Sequence, residues 1–295
     1  MRSYDFETWD VFTDRRFAGN PLAVVMDARG LSGDEMQAIT REFNLAETSF
    51  VLPPENSANT ARVRIFTPGY EIPFAGHPTV GTSIAIARAR KLSGGLRIEL
   101  NTGLFPVALD MDGPAPFAQF ENPNLPADHG PAPAPDLIEA ALSLTKGAAD
   151  RGAHRPRRIG AGVDFVYVKA PIEEVRRARL DSAAWEKLAL EQIVGVLLYA
   201  EGGEAKDATY HVRMFAPDAG VSEDPATGSA ACALPGQIAL SQSLADGAHR
   251  WIVEQGFEMG RPSRIHVEFG STGGNVGKVR IGGNAVPVSK GQILV

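Results

Sequence analysis

The sequence contains one cysteine, Cys232, in 295 residues. That excludes an intrachain disulfide framework and a multi-cysteine zinc site, and with them any mechanism needing two thiols from one chain. No run approaches the ~18 apolar residues of a membrane-spanning helix. Met1 to Glu7 carries charge at once and has no apolar core segment. A cytoplasmic protein with no membrane partner is the expectation. Basic residues are also in short supply: 29 Lys+Arg against 35 Asp+Glu give a net charge of -6. That sign argues against nucleic acid as a partner, which needs a basic footprint. There is no G-x-G-x-x-G, no P-loop and no metal-ligand spacing, so neither a nucleotide nor a metal is implied.

What remains is an ordinary globular composition, 44% hydrophobic and 22% charged. The length suits two domains. Asn122 to Asp136 holds prolines at 123, 126, 131, 133 and 135, and proline resists both helix and central strand. Residues 122–135 are therefore read as a linker between domains at 1–121 and 136–278, with 279–295 a candidate to return to the first.

The two parts resemble each other. Arg62-Val63-Arg64-Ile65-Phe66-Thr67-Pro68 reappears as His211-Val212-Arg213-Met214-Phe215-Ala216-Pro217 at an offset of 149. The same offset carries Leu31 to Leu180, Ser32 to Asp181, Met36 to Trp185 and Ile39 to Leu188. This is an internal duplication, with a period far too long for a solenoid. In each copy a capped helix opens the pattern: Ser32 with Glu35 forms a capping box, and Asp181 takes the matching place. Strand-like runs follow at 48–52 and 196–199. Then comes the repeated strand, alternating at a period of two. A Gly/Pro loop leads into a helix, over 80–92 in one copy and 228–241 in the other. Short strands at 96–100, 107–109, 265–269, 279–281 and 285–288 complete an α+β fold.

The two loop–helix junctions carry the strongest chemical signals. Glu71 to Thr82 contains Gly76-His77-Pro78, and Ser222 to Ala230 contains Asp224-Pro225 and Gly228-Ser229. Matching His77-Pro78 to Asp224-Pro225, and Gly81-Thr82 to Gly228-Ser229, needs an offset of 147. A helix N-terminus offers free N–H groups and partial positive charge, suited to a carboxylate. Glu47 is the third candidate. Its counterpart at the 149 offset is Val196, so the duplication did not copy this carboxylate. A carboxylate between Leu45-Ala46 and a strand suits a general base if it is partly desolvated.

Plainer roles exist for each. Glu47 fits a surface junction, and His77 fits a loop hydrogen bond. Asp224 and Ser229 are expected to cap the second helix. Cys232 reads as a small buried residue, and the arginines at 151, 155, 157 and 158 as a solvated loop. A hydrolase with Ser229 as nucleophile and His77 as base is an alternative, although Ser229 lacks the G-x-S-x-G elbow. A small-molecule-binding protein without catalysis is another.

Several segments together resemble the PhzF-like phenazine-biosynthesis isomerase family. They are Gly19 to Val25, Asn44 to Phe50, Phe66 to Thr82, Arg213 to Pro217, Glu223 to Ala230, Glu254-Gln255-Gly256, and Met259 to Ser263. The resemblance implies a diaminopimelate-epimerase-like fold: two pseudo-symmetric α+β domains, each a curled, mostly antiparallel sheet around a central helix, with the site in a cleft. It implies a cofactor-free isomerase that moves a proton on a small carboxylate-bearing substrate, as in trans-2,3-dihydro-3-hydroxyanthranilate isomerase. It casts Glu47 as the proton carrier, His77 and Asp224 as the polar pair, and Gly76, Gly228 and Ser229 as substrate-binding. It also implies a homodimer. Pro235, inside the second central helix, is expected to kink or shorten it.

Overall fold

One helix in the computed structural model, which describes residues 1–295, is buried along its whole face. Helix α2 (Gly76–Arg90) has every residue from Gly76 to Ala87 buried. A helix enclosed on all sides lies inside a fold rather than on it. It is the central element of a first unit made of Met1–Glu121 and Gly282–Val295. Gly81 fits there because a Cβ would lie 2.6 Å from Val11 and 2.8 Å from Leu22. The second unit, Asn122–Ile281, holds its counterpart, α6 (Gly228–Ala239), buried at nearly every position.

The sheets repeat each other strand for strand. In the first unit β1 (Ser3–Val11), β2 (Asn20–Val25), β3 (Glu47–Leu52), β4 (Ala61–Phe66), β5 (Glu71–Ile72), β6 (Gly95–Leu100) and β7 (Gly103–Asp110) precede β8 (Phe117–Glu121). The pairings β1–β2, β3–β4, β4–β5 and β6–β7 are antiparallel, while β2–β3 and β4–β6 are parallel. The second unit has β9 (Ala127–Asp128), β10 (Arg157–Gly160), β11 (Asp164–Lys169), β12 (Ile193–Glu201), β13 (Tyr210–Ala216), β14 (Val221–Asp224), β15 (Gly247–Gln255) and β16 (Ser263–Thr272). There β10–β11, β12–β13, β13–β14 and β15–β16 are antiparallel, and β11–β12 and β13–β15 parallel. The order of directions is the same. Strand β17 (Asn275–Leu294) supplies residues 285–294 as an antiparallel partner of β1, as β9 does for β10.

Side chains related by the 149 offset occupy equivalent cores. Met36, Ile39 and Phe66 pack in one cluster. Trp185, Leu188 and Phe215 pack in the other. Polar devices are copied too. Arg64 forks onto Glu71 at 2.7 and 2.6 Å, and Arg213 onto Glu223 at 2.8 and 2.8 Å. The guanidinium of each also lies over a phenylalanine two residues on, Phe66 or Phe215. Glu99 accepts the backbone N–H groups of Glu55 and Asn56. Glu254 accepts those of Glu204 and Ala205, which stand 149 residues further on.

Several local expectations change. The helix read over 80–92 begins at Gly76, because Pro78 sits in the first turn, where a missing N–H costs nothing. The helix read over 228–241 runs through Pro235 and ends at Ala239, with 12 residues against 15 in α2. Strands read as 279–281 and 285–288 are one continuous β17. The 122–135 segment is built into the second unit. Asn122 donates to the carbonyls of Asn124 and Ala161, and Pro126 lies against Gly236, where a Cβ would stand 2.7 Å away. Pro135 opens α3 (Pro135–Ala141). Helix α1 (Gly33–Phe43) has the Ser32–Glu35 capping box. Helix α4 (Ile172–Arg177) precedes α5 (Ser182–Trp185), which is capped by Asp181.

Glu254 is fully buried and bonded to two backbone N–H groups and Arg264. Glu254→Ala leaves those donors unpaired and should cost about 1–3 kcal/mol in urea unfolding. Glu99→Ala, at its more exposed counterpart, should cost visibly less.

Candidate active site

Strand pairing and the buried helix bring Glu47 and His77 together. Glu47 begins β3 opposite Leu22 of β2. His77 stands in the first turn of α2, 4% exposed. Its Nε2 lies 3.6 Å from Oε2 of Glu47 and makes no hydrogen bond. The ring does bond to the Pro21 carbonyl, so Nδ1 is the nitrogen that donates there. The Nε2 lone pair therefore faces the carboxylate. Burial pushes the His77 pKa down to about 3, against a weaker opposite pull from the Pro21 bond. The ring is neutral at ordinary pH.

A neutral acceptor nitrogen beside a carboxylate leaves room for one proton between them. When Glu47 carries that proton, His77 can accept a hydrogen bond from it. The Glu47 side chain is 19% exposed against 5% for His77. The carboxylate is the outward member of the pair and the imidazole stands behind it. Gly76, the other expected site residue of this unit, is the first residue of α2 and is buried.

Asp224, Gly228 and Ser229 lie together in the second unit, where β14 ends and α6 begins. The N-cap position falls on neither Asp224 nor Ser229, which is the second residue of the helix. Thr227 is the N-cap residue, and its hydroxyl donates to Asp224 Oδ2 at 2.5 Å rather than capping the helix. The Thr227 N–H is taken instead by Gln255 Oε1 at 3.0 Å. Thr227 and Gln255 were not singled out as site residues from sequence. Both lie in segments that carry the family resemblance, Thr227 in Glu223 to Ala230 and Gln255 in Glu254-Gln255-Gly256.

The pairing also corrects the internal match of the two junctions. Ile65 pairs with Ile72, and its duplicate Met214 pairs with Asp224. Helices α2 and α6 begin at Gly76 and Gly228. The offset is therefore 152 rather than 147, the loop having gained three residues over the 149 of the preceding strand. Asp224 corresponds to Ile72, and His77 to Ser229. Cys232 is buried, and burial pushes its thiol up to about 12.

The fold is the epimerase-like α+β scaffold, and relatives that match the chain are isomerases. The model of the phenazine biosynthesis-like protein family matches residues 9–291, and the chain belongs to that family. It is 43% identical, over the full length of both chains, to an uncharacterised isomerase of Mesorhizobium japonicum. It is 35% identical to the trans-2,3-dihydro-3-hydroxyanthranilate isomerase of Pseudomonas aeruginosa, with 96% of each chain covered. A PhzF-family phenazine biosynthesis protein of Bacillus anthracis superposes with a TM-score of 0.90 over 100% of both chains, at 27% identity. A hydroxyproline epimerase of Agrobacterium vitis shares the fold, with a TM-score of 0.64 at 11% identity over 99% of this chain and 91% of that one.

Neutral burial of His77 links stability to pH. The unfolded ring titrates near 6.5 and the folded one near 3, so the unfolded chain binds the extra proton between those values. The contribution is complete above pH 6.5 and is lost as pH falls towards 3. Relative to His77→Gln, the wild type should lose about 2 kcal/mol between pH 7 and pH 5, read from urea unfolding at each pH.

Proposed function

We propose that this isomerase works without a cofactor and moves a proton on a small carboxylate-bearing molecule, with Glu47 as the proton carrier. The observation that carries the reading is the neutral, buried His77 presenting Nε2 to the Glu47 carboxylate at 3.6 Å. Glu47 takes a proton from a substrate carbon as the anion and holds it as the acid, hydrogen-bonded to Nε2. It then returns the proton to another carbon on the same face. This is general acid–base catalysis by one group in both directions. His77 steadies the protonated form and cannot compete for the proton, because burial keeps it neutral. Asp224 orients a polar group of the substrate. Each buried helix opens on N–H groups of a kind that suits a carboxylate, at Gly76 in the first unit and at Gly228-Ser229 in the second.

The relatives support trans-2,3-dihydro-3-hydroxyanthranilate, or a close analogue, as the substrate. That molecule carries a carboxylate and a removable carbon-bound proton, as the residues require. The serine hydrolase reading has no comparable support, since Ser229 is the second residue of α6 and lacks the G-x-S-x-G elbow a nucleophile uses.

Glu47→Gln keeps size and polarity but cannot accept the proton. In D₂O, wild type should isomerise trans-2,3-dihydro-3-hydroxyanthranilate, with deuterium at the new C–H to the extent that the protonated Glu47 exchanges with solvent before delivering its proton. Glu47→Gln should lose ~10²–10⁴-fold in kcat with substrate affinity nearly unchanged. Near-wild-type turnover in this variant would transfer the role to another residue.

A further inference from the structure

We propose that Gln255 and Thr227 are positioning residues that hold the Asp224 carboxylate in its working orientation; the proposal rests on the reading above, in which Asp224 orients substrate. Gln255 closes β15 and is fully buried. Its Oε1 accepts the Thr227 N–H at 3.0 Å. Its Nε2 donates to the Asp224 carbonyl at 2.6 Å and to the Thr227 hydroxyl at 2.9 Å. With a donor on that oxygen, the Thr227 hydroxyl directs its own hydrogen onward to Asp224 Oδ2, at 2.5 Å. A chain of polarity thus runs from the buried amide through the hydroxyl to the carboxylate. All four of the amide's polar directions are not needed for this; the three bonds made already fix both the loop backbone and the proton of Thr227.

The loop is gripped from a second side. Gly256 has φ +78°, and a Cβ there would meet the Pro225 carbonyl at 2.6 Å. Only glycine lets the chain after Gln255 pass so close to the Asp224-Pro225 segment. Ser263 donates to the same Pro225 carbonyl at 2.8 Å. The Glu254-Gln255-Gly256 and Met259-to-Ser263 segments therefore act on one loop.

The first unit is an internal control. Its pairing Arg62–Glu99 corresponds to His211–Glu254, which makes Leu100 the counterpart of Gln255. Thr227, the residue before α6, corresponds to Ala75 before α2, and Asp224 to Ile72. The same strand–loop–helix junction is built there with Ile, Ala and Leu. The scaffold does not require the polar trio, whereas the Glu99 and Glu254 clamps, which it does use, appear in both copies.

The test uses the full chain, with Gln255→Leu reproducing Leu100 and Thr227→Val removing the relay hydroxyl. Crystal structures of both variants, without substrate, should show the Asp224 carboxylate out of its wild-type rotamer. An unchanged rotamer in both overturns the proposal. Isomerisation of trans-2,3-dihydro-3-hydroxyanthranilate then separates positioning from general stability. Each variant should lower kcat about tenfold, the loss of one hydrogen bond to a charged group. Thr227→Ser should restore it. In an Asp224→Asn background, Gln255→Leu should cost less than twofold more, because nothing is left to position. Full additivity there marks a structural role and rejects the proposal even where Asp224 matters. If Asp224→Asn alone leaves kcat and KM unchanged, the reading of Asp224 is what fails. Should Gln255→Leu not fold, the Thr227 pair and its serine rescue decide the question.

Discussion

Desolvation of the His77 ring is the constraint on which the site depends. An imidazole in water is poised to be charged near neutrality. Enclosed in the first turn of a buried helix, it is held neutral, with its pKa near 3. Its Nδ1 is committed to the Pro21 carbonyl, so the tautomer is set and Nε2 is left as an acceptor. The neighbouring Glu47 thus faces a group that stabilises its acid form and does not trap the proton as a permanent ion pair. The long burial of α2, the small Gly81 and the parallel β2–β3 register each serve that arrangement. They bring Pro21, Glu47 and His77 to one end of the first unit.

The duplicated scaffold and the unduplicated chemistry are separable. Strand directions, both core clusters, the Arg–Glu forks and the Glu clamps recur in both units. The groups proposed to carry the chemistry do not. Strand pairing sets Thr48 against Phe66 and Val196 against Phe215, so Glu47 corresponds to Gly195, one residue before the Val196 that the 149 offset alone gives; His77 corresponds to Ser229, and Asp224 to Ile72. Features in both copies serve the fold; polar groups present in one copy only are the ones left for function. The same logic identifies Thr227 and Gln255, whose counterparts are Ala75 and Leu100.

Much of this was legible in the sequence, for identifiable reasons. The 149-residue repeat is visible because strand and helix faces constrain residue type: Met36/Trp185 and Phe66/Phe215 fill equivalent core places. The Ser32–Glu35 box announces α1 directly. Glu47 stands out because the second copy has no carboxylate there, whether the 149 offset picks Val196 or the strand register picks Gly195. The start of α2 is hidden in the sequence because proline usually marks a boundary, yet it is harmless in a first turn. The loop register is hidden because matching Gly and Pro residues favour the 147 offset, and an insertion of three residues is invisible without the strand partners. Helices α3 and α4 were not seen because they are short, with seven and six residues. The Asp224–Thr227–Gln255 chain was out of reach because 28 residues separate Thr227 from Gln255, and only the parallel β13–β15 pairing joins them.

The protonation state of His77 decides whether Glu47 can carry the proton as proposed. Nitrogen-15 NMR of the histidine ring nitrogens, assigned with the His77→Gln variant, reads it directly at pH 7. The structure predicts a protonated Nδ1 and an unprotonated Nε2, unchanged as the pH is lowered to 5. A His77 ring protonated on both nitrogens at pH 7 would make the pair a fixed ion pair with Glu47 and would contradict the proposed proton transfer.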